Sequence, residues 1–294
     1  MRTTRLFILL ALPSLIGSVL LMRMAGVGLA LQVQQLVVAV MGIALALWSE
    51  QRAASQHAHQ DAKQDANQDL GPSQSTRNAL FALSLMALGL LACFAFSEAG
   101  NPSRWLKLKG LRLYFSATVL PVVIYLLARL HWRLRFPAMG NLALFSVFVL
   151  LLAAQPDLSQ ALAFTLAAIF IVWHRADSLL LKVGGSAVWA VLCSWCWQQA
   201  DPLQPVPYVE GVIQLAASAG DFAMIAAIIS IALLPLGLFL IGIKRSMPEL
   251  IPIALYYIVI MICAYRGLTP MPLLGFGAGP VLGYFVLLAV RRNA

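Results

Sequence analysis

Asp157 has the strongest claim on chemistry in this chain because of where it stands. It lies in Gln155-Pro156-Asp157-Leu158-Ser159-Gln160-Ala161-Leu162, between apolar runs at 141–154 and 161–173 that contain no charge. An ionised aspartate at bilayer depth costs several kcal/mol unless it sits at the interface, is paired, or lines a wet cavity. Pro156 has no N–H, so a neighbouring carbonyl also needs a partner. The stretch is therefore a tight structural turn or part of a polar cavity. Asp157 could cap a helix beginning near Ser159, pair with Arg104 or Arg266, or contact a polar substrate or metal.

Other stretches carry groups of the same kind. Residues 98–112 alternate aromatic, apolar and basic types around Arg104, Trp105, Lys107, Lys109 and Arg112. That pattern suits an interfacial segment touching lipid headgroups, or a plain aromatic anchor. Residues 198–220 hold Asp201, Pro205, Pro207, Tyr208 and Glu210, and Asp221 follows as an interface carboxylate. Residues 266–279 begin with Arg266 and are interrupted by Gly and Pro. Such backbone survives at membrane depth only inside protein or beside water. Cys193-Ser194-Trp195-Cys196 has redox-motif spacing within an apolar run, so these are packing thiols or an outward-facing redox pair. His57, His59, Asp61, Asp65 and Asp69 could form a weak metal site, or belong to a solvated linker.

The elements that must position these groups are membrane helices. The chain has 294 residues, of which 61% are hydrophobic and 11% charged, and its mean hydropathy is +0.86. A soluble domain carries about a quarter charged residues, and a barrel would alternate. The class is all-α and polytopic. About ten spans are expected, at 6–22, 29–48, 79–97, 113–130, 140–154, 159–173, 179–197, 221–243, 248–265 and 275–290. They form one integral membrane domain over 1–294, with a flexible cytoplasmic loop at 50–78. The first run lacks a convincing cleavage site and reads as a helix rather than a signal peptide. The net charge of +9 does not imply nucleic-acid binding, because the basic residues cluster at helix ends. Most, including Arg5, Arg52, Arg129, Arg133, Lys244 and Arg291, fall on one side, which puts both termini in the cytoplasm.

Taken in order, the loops resemble the SEDS family (shape, elongation, division and sporulation), the FtsW- and RodA-like membrane proteins. Asn101 to Arg104 with Trp105, and on to Ser116, is similar to that family's Asn-Gly-x-x-Arg-Trp loop leading into Gln-Pro-Ser-Glu. Gln155-Pro156-Asp157-Leu158 with Ala161-Leu162 resembles its Gln-Pro-Asp-Leu-Gly-Thr-Ala-Leu. Pro207-Tyr208-Val209-Glu210 falls where the family has an acidic residue before its eighth membrane helix. Pro270-Met271-Pro272-Leu273-Leu274-Gly275-Phe276-Gly277-Ala278-Gly279 resembles its Pro-Leu-Pro-Phe-Ile-Ser-Tyr-Gly-Gly-Ser. The resemblance covers roughly residue 80 to the end.

It implies a protein of peptidoglycan synthesis, cell division or cell shape in the bacterial inner membrane. Its partners would be membrane lipids, a lipid-linked precursor (lipid II) and a class B penicillin-binding protein. No cofactor is implied. By carry-over Glu210 would be the general base, with Asp157, Arg104, Trp105, Arg266 and Ser116 as substrate-binding residues. Partial desolvation beside the membrane raises a carboxyl's pKa toward the range a base uses. Glu210 could equally be a helix-start carboxylate on the dipole of the following segment. The chain departs from the pattern at Ala117 and Leu120, where the family has Glu and Lys. It also lacks the family's hydroxyls near Gly275 to Gly279, and its loop at 198–220 is short and has no Lys or Arg. The departing diphosphate needs cationic or metal stabilisation, which leaves Arg104, Lys107, Lys109, Arg112 and Arg266 to supply it. The readings are a divergent binding protein, an active lipid II glycosyltransferase with Glu210 as base, and a transporter of an undecaprenyl-linked precursor.

Overall fold

The computed structural model describes residues 2–61, 72–96, 102–108, 111–175, 178–199 and 203–293. Among them the order is α1 (Arg2–Met24), α2 (Leu29–Asp61), α3 (Pro72–Ala95), β1 (Trp105–Leu108), β2 (Leu111–Tyr114), α4 (Phe115–Trp132), α5 (Ala138–Ala154), α6 (Leu158–Arg175), α7 (Leu179–Trp197), α8 (Val212–Ser218), α9 (Asp221–Lys244), α10 (Leu250–Tyr265) and α11 (Ala278–Asn293). Six described helices are long and apolar enough to cross a membrane: α1, α2, α3, α4, α7 and α9. The shorter apolar helices α5, α6, α10 and α11 complete the expected set. The chain is a multi-pass α-helical membrane protein.

α4 is the hub. Its residues from Pro121 to Ala128 are all buried, as expected of a helix apolar all round. α3, α5, α6, α10 and α11 pack around it. α11 reaches it through Gly279 and Gly283, spaced four apart, as in close membrane-helix pairs. A Cβ at Gly279 would strike the Tyr114 carbonyl, and one at Gly283 the Ala117 carbonyl. α2 and α7 lie outside and keep most of their surface toward lipid.

Side-chain bonds tie both chain ends to one face. Arg291 Nη2 donates to Thr4 Oγ1 at 3.5 Å, and Tyr284 OH donates to the Phe7 carbonyl at 2.9 Å. On that face Arg133 Nε donates to Glu249 Oε1 at 2.6 Å, and its Nη2 to the Ser246 carbonyl at 2.9 Å. The bond to the Glu249 carboxylate holds the Arg133 pKa above its usual value. Arg133 is 53% exposed against 6% for Glu249, so solvent screens the pair. Glu249→Ala is expected to cost about 1 kcal/mol, read as a small drop in thermal midpoint in detergent. Glu249→Gln, which keeps an acceptor, should lose less.

Three expectations change. Within the stretch expected as an interfacial segment over 98–112, β1 pairs antiparallel with β2, an element the sequence reading did not include, with Trp105 opposite Tyr114 and Lys107 opposite Arg112. The Trp-Leu-Lys-Leu alternation is the period of a strand. The loop expected over 50–78 is helical through Asp61 and again from Pro72. His57, His59 and Asp61 have no described side chains, and Asp65 and Asp69 lie outside the described residues. The last span begins at Ala278, because 266–277 is a chain of turns.

Candidate functional site

The site lies at the end of α4 away from the termini, where the hairpin, the α5–α6 turn, the turn before α8 and the 266–277 loop converge. Asp157 stands just before α6, and its carbonyl accepts the Ala161 N–H at 2.9 Å, the helix's first bond. The Leu152 carbonyl, which a residue other than Pro156 would have served, accepts the Asp157 N–H at 3.0 Å. The side chain is fully buried. Oδ1 accepts from Tyr114 OH at 2.7 Å and from Ser159 Oγ at 3.2 Å, and Oδ2 accepts from Ser116 Oγ at 2.8 Å. Burial, reinforced by the Asp157 charge, pushes the Tyr114 phenol well up, so it stays a donor. Arg104 is 5% exposed and donates from Nη2 to the Pro156 carbonyl. Asp157 and Arg104 thus fasten the hairpin to the α5–α6 turn from both sides.

Glu210 ends a turn whose geometry it helps hold, with Oε2 accepting from the Val206 N–H at 2.8 Å. That turn is clipped to the 266–277 loop. The Met271 N–H donates to the Val209 carbonyl at 3.0 Å, and the Phe276 N–H to the Tyr208 carbonyl at 2.9 Å. Gly275 lies so close to the Val209 carbonyl that a Cβ there would collide with it. Leu273 is fully buried with a left-handed φ of 60°, a conformation that only tight surroundings sustain in a branched residue. From α2, Gln35 Oε1 accepts the Gly277 N–H at 3.2 Å, and its Nε2 donates to the Gly275 carbonyl at 3.3 Å.

Two adjoining cavities open between these parts. One, of about 250 Å³, is bordered by Gln34, Arg104, Trp105, Arg112, Tyr114, Gln204, Glu210, Phe276 and Ala278, among others. The second, of about 230 Å³, is bordered by Phe96, Ser103, Trp105, Lys107, Arg112, Gln204 and Glu210, among others. Arg104 also borders a smaller space of about 190 Å³ with Ser159, Cys196 and Gln199.

The residues singled out from sequence therefore divide. Glu210, Arg104 and Trp105 border the cavities. Asp157 and Ser116 sit behind the wall, bonded to each other. Arg266 is exposed at the end of α10 and borders none of these spaces, although Gly267 and Leu268 beside it border the first. Asn101, Lys109 and Asp201 lie outside the described residues. Ala117 and Leu120 are buried in α4's packing. All four cysteines are buried free thiols, and Cys193 shares a hydrogen bond with Thr165. Among the described residues no cluster of His, Cys, Asp or Glu could hold a metal ion. The sequence reading missed Tyr114, Gln34, Gln35 and Gln204. The signal for the first two glutamines was there, since amides within an apolar span mark an inward-facing polar contact.

No protein-family model matches the chain, and no curated protein matches it by sequence. Solved structures do. The rod shape determining protein RodA of Thermus thermophilus is 16% identical, with a TM-score of 0.64 over 98% of this chain and 96% of its own. A chain from a peptidoglycan synthase complex, whose structure concerns the coordination of polymerization and crosslinking, is 17% identical. Its TM-score is 0.61 over 98% of this chain and 97% of its own. At such identity the likeness is one of architecture, and with the loop motifs read above it identifies the fold of this chain as the SEDS fold, that of RodA, over nearly its whole length.

Proposed function

We propose that this chain is a SEDS-type protein of peptidoglycan synthesis in the bacterial inner membrane. It holds a lipid-linked cell-wall precursor on its outer face and works with a class B penicillin-binding protein. One observation carries the reading: a carboxylate, three cations and aromatic walls share two joined cavities on the face away from the termini. A diphosphate-linked sugar calls for that set, with cations for the phosphates and aromatic faces for the sugar. The RodA fold supports the cell-wall assignment, and the likeness to a chain of a synthase complex supports a synthase partner.

Glu210 favours a second reading, a glycosyltransferase. It borders both cavities, so it could take the proton of an attacking sugar hydroxyl as the diphosphate leaves. Both readings meet one experiment, in which nanodisc-embedded protein is incubated with lipid II, alone and with a co-expressed class B penicillin-binding protein. Binding and co-purification are expected. If the protein is also the polymerase, glycan product forms and Glu210→Gln reduces it by about a hundredfold or more. A protein that neither binds lipid II nor retains any class B partner would sink the proposal.

A further inference from the structure

The hairpin carries a feature that the fold alone does not require. Its register sets Lys107 directly opposite Arg112 and Trp105 opposite Tyr114. Side chains alternate along a strand, so these four share one face, while Leu106 and Leu113 fall on the other. The four-residue face fronts the cavities: Trp105, Arg112 and Tyr114 border the first, and Trp105, Lys107 and Arg112 the second. A guanidinium beside an ammonium on one face of the ladder suits adjacent phosphates.

The two cavities also differ in what they offer. The second includes Phe96, just past the end of α3 and 37% exposed, an apolar ring suited to the first units of an isoprenoid tail. The first adds Gln34, Phe276 and Tyr114, which are amide and aromatic groups suited to a sugar's hydroxyls and faces. Resting on the function proposed above, we propose that Lys107 and Arg112 form the diphosphate clamp. The diphosphate sits in the cavity beside Phe96, and the attached sugar occupies the neighbouring cavity. The Tyr114–Asp157 bond fixes the height of this clamp by anchoring β2.

The test uses the full chain in nanodiscs with a polyprenyl diphosphate as probe. Lys107→Gln combined with Arg112→Gln should weaken probe binding by about tenfold or more and flatten its salt dependence. The charge-keeping exchange, Lys107→Arg with Arg112→Lys, should stay within a few-fold of wild type. Arg23→Gln, which removes a charge from the same face outside the cavities, should change nothing. A polyprenyl monophosphate should bind more weakly than the diphosphate, and phosphatidylglycerol should not compete. Equal binding by wild type and the double Gln variant would overturn the clamp while leaving the functional reading intact. Competition by phosphatidylglycerol would also overturn it, making the hairpin a general anionic-lipid contact. Failure of wild type to bind either the probe or lipid II would overturn the functional reading and the clamp together.

Discussion

Asp157→Ala is expected to destabilise the protein by about 3–5 kcal/mol, because it strips the acceptor from three hydroxyls at once. Tyr114 and Ser116 are buried, with 6% and 0% of their surface exposed, so water cannot replace the lost carboxylate. For a chain of this size that is a fall of about 10 °C in thermal midpoint. The loss should be local first. Tyr114 ends β2 and Ser116 opens α4, so the hairpin loses its anchor and its amides should exchange faster than those of α10. Asp157→Asn keeps one acceptor oxygen, and the hydroxyls can rotate to receive its N–H, so it should cost about 1–2 kcal/mol. Thermal melting of both variants, with amide exchange, checks this. A stable Asp157→Ala protein that no longer binds precursor would place Asp157 in direct contact with the ligand and remove its scaffolding role.

Filling the first cavity gives the second large effect. Ala278 opens α11 at its edge, and Ala278→Trp would put an indole into about 250 Å³ of space. Precursor affinity should fall by about tenfold or more, because the sugar then competes with a packed ring. Ala278 is half-buried and faces the cavity, so the thermal midpoint should stay close to wild type. The two variants therefore separate scaffold from site: one acts through the hairpin's anchor, the other through the space that the anchor maintains.

Much of this architecture is legible in the sequence, because crossing a bilayer demands long apolar runs and the runs are plain. The face that carries the termini is legible from its arginines. Asp157 is legible as an anomaly, but its partners are not, since Tyr114 and Ser116 lie 43 and 41 residues before it. The hairpin is written in the alternation around Trp105, yet a four-residue strand between two apolar spans is masked by the basic and aromatic residues that also suit a headgroup contact. Arg133 and Glu249 meet across 116 residues, a pairing that no local pattern announces. Gln35 is different. An amide in an apolar helix, here beside Gln32 and Gln34, is a signal that hydropathy averages away, and Gln35 supports the loop that walls the site.

The most direct test of the central claim is equilibrium binding of lipid II to the nanodisc-embedded chain, compared with the Ala278→Trp variant at matched thermal stability. Saturable binding by wild type, with the variant weaker by about tenfold or more, is the predicted result. Equal binding by the two, or none by wild type, would contradict the assignment of these cavities to a lipid-linked cell-wall precursor.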